Sequence, residues 1–151
     1  RRNLQKLEYD VVLFDCNPSL NVINLQGLAA SDYLVIPTEP EHLALKGMRQ
    51  MYLNLIELTY SYKLDVEIEG IVVTKFDTRK NMHKETEEQL RKMFGKKVFN
   101  SVIRSNVAVA KAMQQIKPIN ELYPNANGAL DYKNLSVEIA ERFLESSKSD
   151  Q

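Results

Sequence analysis

The order in which short apolar runs alternate with amphipathic stretches limits the folds open to this chain more than any other feature. Residues 9–14, 33–37, 68–74 and 98–103 are rich in Val, Ile and aromatic residues and mostly apolar on both sides. Such runs suit strands of a parallel sheet, which is covered on both faces. Between and after them, residues 20–30, 42–62, 83–94, 107–116 and 129–143 have helical character. Ser19 stands where its hydroxyl can accept a free backbone N–H of the first helix. Leu43, Met51, Leu55 and Leu58 share one side of the second, and Gly95 suits a left-handed stop to the third. Tyr132, Leu135, Ile139 and Phe143 make one stripe of the last, and a polar tail from about residue 145 is expected to be disordered. A β-α-β-α order predicts an α/β fold, a mostly parallel sheet flanked by helices with right-handed crossovers.

Length and composition narrow the reading. The 151 residues predict one domain, and 44% hydrophobic with 26% charged residues argues against a disordered or fibrous chain. No uninterrupted apolar run exceeds four residues, so no membrane-spanning helix is expected. The single cysteine, Cys16, forms no internal disulfide, and a reducing cytoplasmic setting is expected. Residues 9–14 open the pattern almost at once, and they are unusually apolar for an unprotected edge. The expectation is therefore a domain incomplete at its N-terminal side, with Val11, Val12 and Leu13 on an open edge that favours self-association. A compact four-stranded domain is the alternative.

The sharpest local signal is Val11-Val12-Leu13-Phe14-Asp15. An apolar strand ending in Asp puts a carboxylate at the carboxyl edge of a parallel sheet, where ligands of open α/β folds bind. This is the form of a Walker B segment, whose Asp serves a Mg²⁺ site. An Asp that merely caps the following turn has the same form. A Walker A loop, G-x-x-x-x-G-K-[ST], cannot be assembled here, because the five glycines (27, 47, 70, 95 and 128) stand at least 20 residues apart. Cys16 has no nearby His to activate it, and His42 and His83 lack partners at metal-ligand spacing. Thr74-Lys75-Phe76-Asp77 is close to the guanine-reading N-K-x-D of GTPases, with its first residue changed.

Several segments in order resemble the ParA/Soj family of chromosome and plasmid partition ATPases. They are Asp15-Cys16-Asn17-Pro18-Ser19, Leu28-Ala29-Ala30-Ser31-Asp32, and Val35-Ile36-Pro37-Thr38-Glu39-Pro40. The resemblance continues through Glu69-Gly70-Ile71-Val72-Val73-Thr74-Lys75-Phe76-Asp77, Lys97-Val98-Phe99, Ile103 with Asn106, Lys117-Pro118-Ile119 and Gly128-Ala129. It covers about residues 9–143. It implies a P-loop NTPase-like fold of the deviant Walker A class, with residues 1–151 as the C-terminal portion of one ATPase domain. It further implies ATP and Mg²⁺ as cofactors of the intact protein, with Asp15 ordering a Mg²⁺-bound water. Pro18 and Ser19 would lie in the γ-phosphate switch, and Pro37, Thr74, Lys75, Asp77 and Asn106 near the base, which the family makes adenine. The family's paired prolines after the cysteine read Asn17-Pro18 here, and its Ile-Pro-Arg-Asn reads Ile103-Arg104-Ser105-Asn106. Without a glycine loop, the chain itself is expected neither to bind ATP tightly nor to hydrolyse it.

Net charge is zero, yet the charges are segregated. Residues 75–97 carry eight Lys/Arg against four acids, and residues 104–117 add three cations without an acid. A basic middle between acidic flanks suits a polyanion, although an ordinary solvated helix face has the same composition. Family members dimerise with ATP, hold DNA non-specifically and answer to a centromere-binding partner. The resemblance places Arg79, Lys80, Lys84, Arg104 and Lys111 in the DNA-facing region. Family membership also implies a nucleoid-associated cytoplasmic location with no membrane partner. The competing reading, from a different class, is a non-catalytic α/β interaction module that lost its phosphate loop.

Overall fold

The computed structural model of the chain describes residues 6, 8–17 and 22–149. Its elements run α1 (Val22–Ala30), β1 (Tyr33–Thr38), α2 (His42–Ser61), β2 (Glu67–Phe76), α3 (Asn81–Phe94), β3 (Val98–Arg104), α4 (Val107–Gln114), α5 (Ile119–Leu122) and α6 (Asn127–Ser149). The three strands form one sheet in the order β1-β2-β3, and β2 pairs with β3 in parallel. The architecture is α/β with a mostly parallel sheet and flanking helices, as the alternation of periods predicts. Central β2 is buried continuously from Ile68 to Val73, which is what a strand covered on both faces requires.

The chain divides into two compact units, residues 1–35 with 50–69 and residues 36–49 with 70–151. In the first, α1 ends where the Ser31 hydroxyl donates to Gly27 O at 2.8 Å. The start of β2 is tied to the start of β1 by Glu67 N donating to Asp32 O at 2.9 Å. In the second, α3 turns His83, Thr86 and Leu90 inward at helical spacing. Phe99, Ile71, Leu90, Val73 and Val98 are its largest fully buried apolar side chains. Gly70 is required there: a Cβ would stand 2.7 Å from the Lys97 carbonyl oxygen and 2.8 Å from the Phe99 ring.

Three expectations need correction. Residues 9–14 form no strand, and Tyr9 and residues 11–14 are exposed. A strand exists through ladder hydrogen bonds and a covered face, and among the described residues this segment has neither. Tyr132, expected in the core stripe of the last helix, is exposed; the inward stripe runs Gly128, Asp131, Leu135, Glu138 and Arg142. Polar groups sit inside because they bond the backbone of β3. The last helix also continues to Ser149, through the stretch expected as a tail. Element α5 carries only four residues, too short for a periodic signal.

Candidate functional site

In the first unit, Asp15 is exposed and lies outside any strand. Its neighbours fold back toward α1. Asn24, buried on that helix, donates through Nδ2 to both Asn17 O and Asn17 Oδ1 at 2.7 Å. A Cβ on Gly27 would lie 3.4 Å from Cys16 Sγ, so helix and segment are close-packed there. Asn17 thus has a local role as a polar tether. Asp15 makes no ion pair or hydrogen bond among the described residues. Pro18 and Ser19 lie outside the described residues.

In the second unit, the carboxyl ends of the strands gather most of the residues expected near a base. Thr74 Oγ1 donates to Thr38 O at 3.2 Å, one residue beyond exposed Pro37. Lys75 adopts φ 52°, a left-handed conformation unusual for a side-chain-bearing residue, and pairs with Glu39. Its cause lies in the register. Between Val73–Val102 and Phe76–Arg104, β2 carries one residue more than β3, and Lys75 falls within that irregularity. Ser105 N donates to Phe76 O at 2.9 Å, which brings the end of β3 beside the end of β2. Asn106 follows as the N-cap of α4, its Oδ1 accepting from Ala108 N at 2.8 Å.

The turn after β2 is closed from two directions. Asp77 Oδ1 accepts from Arg79 N at 3.0 Å, and both carboxylate oxygens hold the Arg79 guanidinium at 2.9 and 2.8 Å. The Arg79 side chain and backbone N–H hold the Asp77 carboxyl well below the usual carboxylate range. Asp77 N donates to His83 Nδ1 at 3.1 Å, so the imidazole proton resides on Nε2 when the ring is neutral. That buried nitrogen has no hydrogen-bond partner among the described residues and stands 3.6 Å from Glu41 Oε1.

The basic residues divide into two sorts. Lys80, Lys84 and Lys111 are exposed and form no ion pair among the described residues. Arg79 is exposed and spends its charge on the Asp77 turn. Arg104, also expected among the DNA-facing cations, pairs within the chain: its guanidinium holds buried Asp131 at 2.7 and 2.9 Å, and its N–H donates to Asp131 Oδ2 at 3.0 Å. Withdrawing it would leave a buried carboxylate unpaired. Glu39, Glu41, Asp131 and Glu138 were missed by sequence reasoning. Their partners are distant in sequence; only the seven-residue spacing of Asp131 and Glu138, two turns on one helix face, hinted at a shared task.

A β-α-β order and a parallel strand pair flanked by helices define an α/β protein of P-loop NTPase-like topology. The chain is homologous over most of its length to the ParA/Soj family of chromosome- and plasmid-partitioning ATPases. It is 38% identical over 136 residues to the sporulation initiation inhibitor protein Soj of Bacillus subtilis, covering 89% of this chain and 53% of that protein. It is 37% identical over 145 residues to the chromosome-partitioning ATPase Soj of Thermus thermophilus, covering 96% and 58%. With the chromosome partitioning protein ParA of Myxococcus xanthus it shares 33% identity over 135 residues, covering 89% and 48%. A family model for an AAA domain matches residues 2–68. The chain spans about half the length of the curated relatives it matches. Among the described residues, no helix is long and apolar enough to cross a membrane.

Proposed function

We propose that this chain is the C-terminal portion of a ParA-like partition ATPase, an ATP-gated dimer that holds DNA without sequence preference and is released by hydrolysis. Supporting the reading is the homology to chromosome-partitioning proteins over about nine-tenths of the chain. In the whole protein, Asp15 would hold magnesium through a water, Pro18 and Ser19 would face the γ-phosphate, and Pro37, Thr74, Lys75, Asp77 and Asn106 would border the base. A centromere-binding protein is the expected partner, and the nucleoid the expected location.

The residues present are compatible with such a cofactor. Magnesium keeps most of its waters, so one exposed carboxylate at Asp15 suffices as the protein's contribution. Among the described residues no three His, Cys, Asp or Glu side chains form a metal cluster, and none is needed for an ion held chiefly by phosphate and water. When bound, magnesium with the triphosphate supplies the charge neutralisation that hydrolysis needs. The chain's own contribution is to border the base and to tie the turn that displays Arg79 and Lys80. The glycine loop that grips phosphates belongs to the whole protein, and the 151 residues alone neither bind ATP tightly nor hydrolyse it.

DNA binding tests this reading directly. With Lys80, Lys84 and Lys111 each meeting a phosphate, affinity of the full-length protein in ATP and Mg²⁺ falls roughly 40-fold from 50 to 200 mM salt, at a slope of about 0.9 per contact. Replacing any one of the three lysines by Ala lowers the slope by about one contact. Arg104→Ala leaves the slope unchanged and lowers stability, because Asp131 loses its partner. A salt-independent affinity, or a slope that drops with Arg104→Ala alone, overturns the assignment.

A further inference from the structure

The apolar pattern of β3 does not by itself fix where β3 lies along β2. Between the pairs Ile71–Val98 and Val73–Val102, β2 advances two residues while β3 advances four. A slip of two residues returns every side chain to its own face, so burial does not distinguish this register from the regular one, in which Val73 faces Asn100. Polar contacts make the distinction. The amides of Asn100 and Ser101, both within the surplus stretch, donate to one side chain: Asn100 N to Glu138 Oε1 and Ser101 N to Glu138 Oε2, each at 2.7 Å. Successive amides of a regular strand point to opposite sides, so one carboxylate reaches both only where the strand is bulged. Two turns earlier on α6, Asp131 takes the amide and guanidinium of Arg104 at 3.0 and 2.7 Å. Glu138 is itself fixed by Arg142 at 3.0 Å, whose guanidinium lies 4.0 Å over the Phe99 ring.

We propose that Glu138 and Asp131 are positioning residues: α6 grips β3 in its bulged register and thereby sets where the β3–α4 corner, with Asn106, stands at the carboxyl edge of the sheet. A two-residue slip moves the corner by about 6.6 Å, at about 3.3 Å per residue. That displacement would part Ser105 from Phe76 and remove Asn106 from the end of β2. The functional meaning rests on the reading of this edge as the nucleotide edge; the register claim does not.

Nuclear magnetic resonance on the isotopically labelled chain tests it without nucleotide. In Glu138→Ala, the amides of Asn100 and Ser101 exchange at least tenfold faster, and the Val73–Val102 cross-strand contact gives way to Val73–Asn100. Glu138→Gln keeps one acceptor oxygen, so it protects one of the two amides and retains the Val73–Val102 contact. This conservative variant carries the test should Glu138→Ala not fold. Persistence of Val73–Val102 in Glu138→Ala, or equal loss of both amides' protection in Glu138→Gln, overturns the proposal. Because register is read in the free chain, its failure leaves the nucleotide reading standing, and absent nucleotide binding leaves the register claim standing.

Discussion

Residues 11–14 and residues 71–73 are almost the same polymer, yet they end in opposite environments. Val-Val-Leu-Phe lies open, with Leu13 89% exposed, while Ile71 and Val73 are fully buried. Composition does not separate them. Neighbours do: β2 has a strand on each side, whereas residues 11–14 pair with nothing among the described residues. Apolar character makes a segment able to become a core strand, and only ladder partners and covering side chains make it one.

Substitutions sharpen the contrast. Ile71→Ala is expected to cost about 2–5 kcal/mol in chemical denaturation, as a buried truncation that leaves a cavity. A cost under about 1 kcal/mol would mean that β2 is not the centre of its unit. Glu138 contributes less and in a pH-dependent way. Burial works against its ionisation, but the Asn100 and Ser101 amides and Arg142 outweigh it and hold its carboxyl below the ordinary 4.5. A carboxyl lowered by folding contributes stability that is complete above its unfolded value and lost as pH falls through the folded one. Melting temperature should therefore decline below about pH 4.5 in the native chain, and decline less steeply in Glu138→Gln. Leu13→Ala is the smallest effect, within about 0.5 kcal/mol, since nothing is uncovered. Its exposed neighbours instead favour association: light scattering should show the chain oligomeric, and Val12→Lys should reduce the oligomer. A monodisperse monomer that is unchanged by Val12→Lys removes residues 11–14 as the adhesive.

Much of the fold is legible because its signals are local. Strands β1 to β3 and helices α2 to α4 fall within two residues of where period, Gly95 and the apolar runs place them. What resists reading is long-range. Whether residues 9–14 become a strand depends on partners that no pattern in those six residues encodes. The inward face of α6 is rotated toward Asp131 and Glu138 because their partners are amides 27 to 38 residues away. Of the stripe Tyr132, Leu135, Ile139 and Phe143, Leu135 is buried and Ile139 and Phe143 are half-buried, so only Tyr132 falls outside it. The same holds for the candidate residues of each unit: Asp15 in the first and Thr74, Asp77 and Asn106 in the second stand out by motif, while Glu39, Glu41 and His83 matter only once β1 and β2 end beside each other.

Asp15 is the residue proposed to serve magnesium in a ParA-like ATPase. Steady-state ATP hydrolysis by the full-length protein, native against Asp15→Ala, with magnesium supplied and then chelated, tests it most directly. The account predicts magnesium-dependent turnover in the native protein and its loss in Asp15→Ala, whose circular dichroism stays native. Undiminished turnover in Asp15→Ala would contradict it.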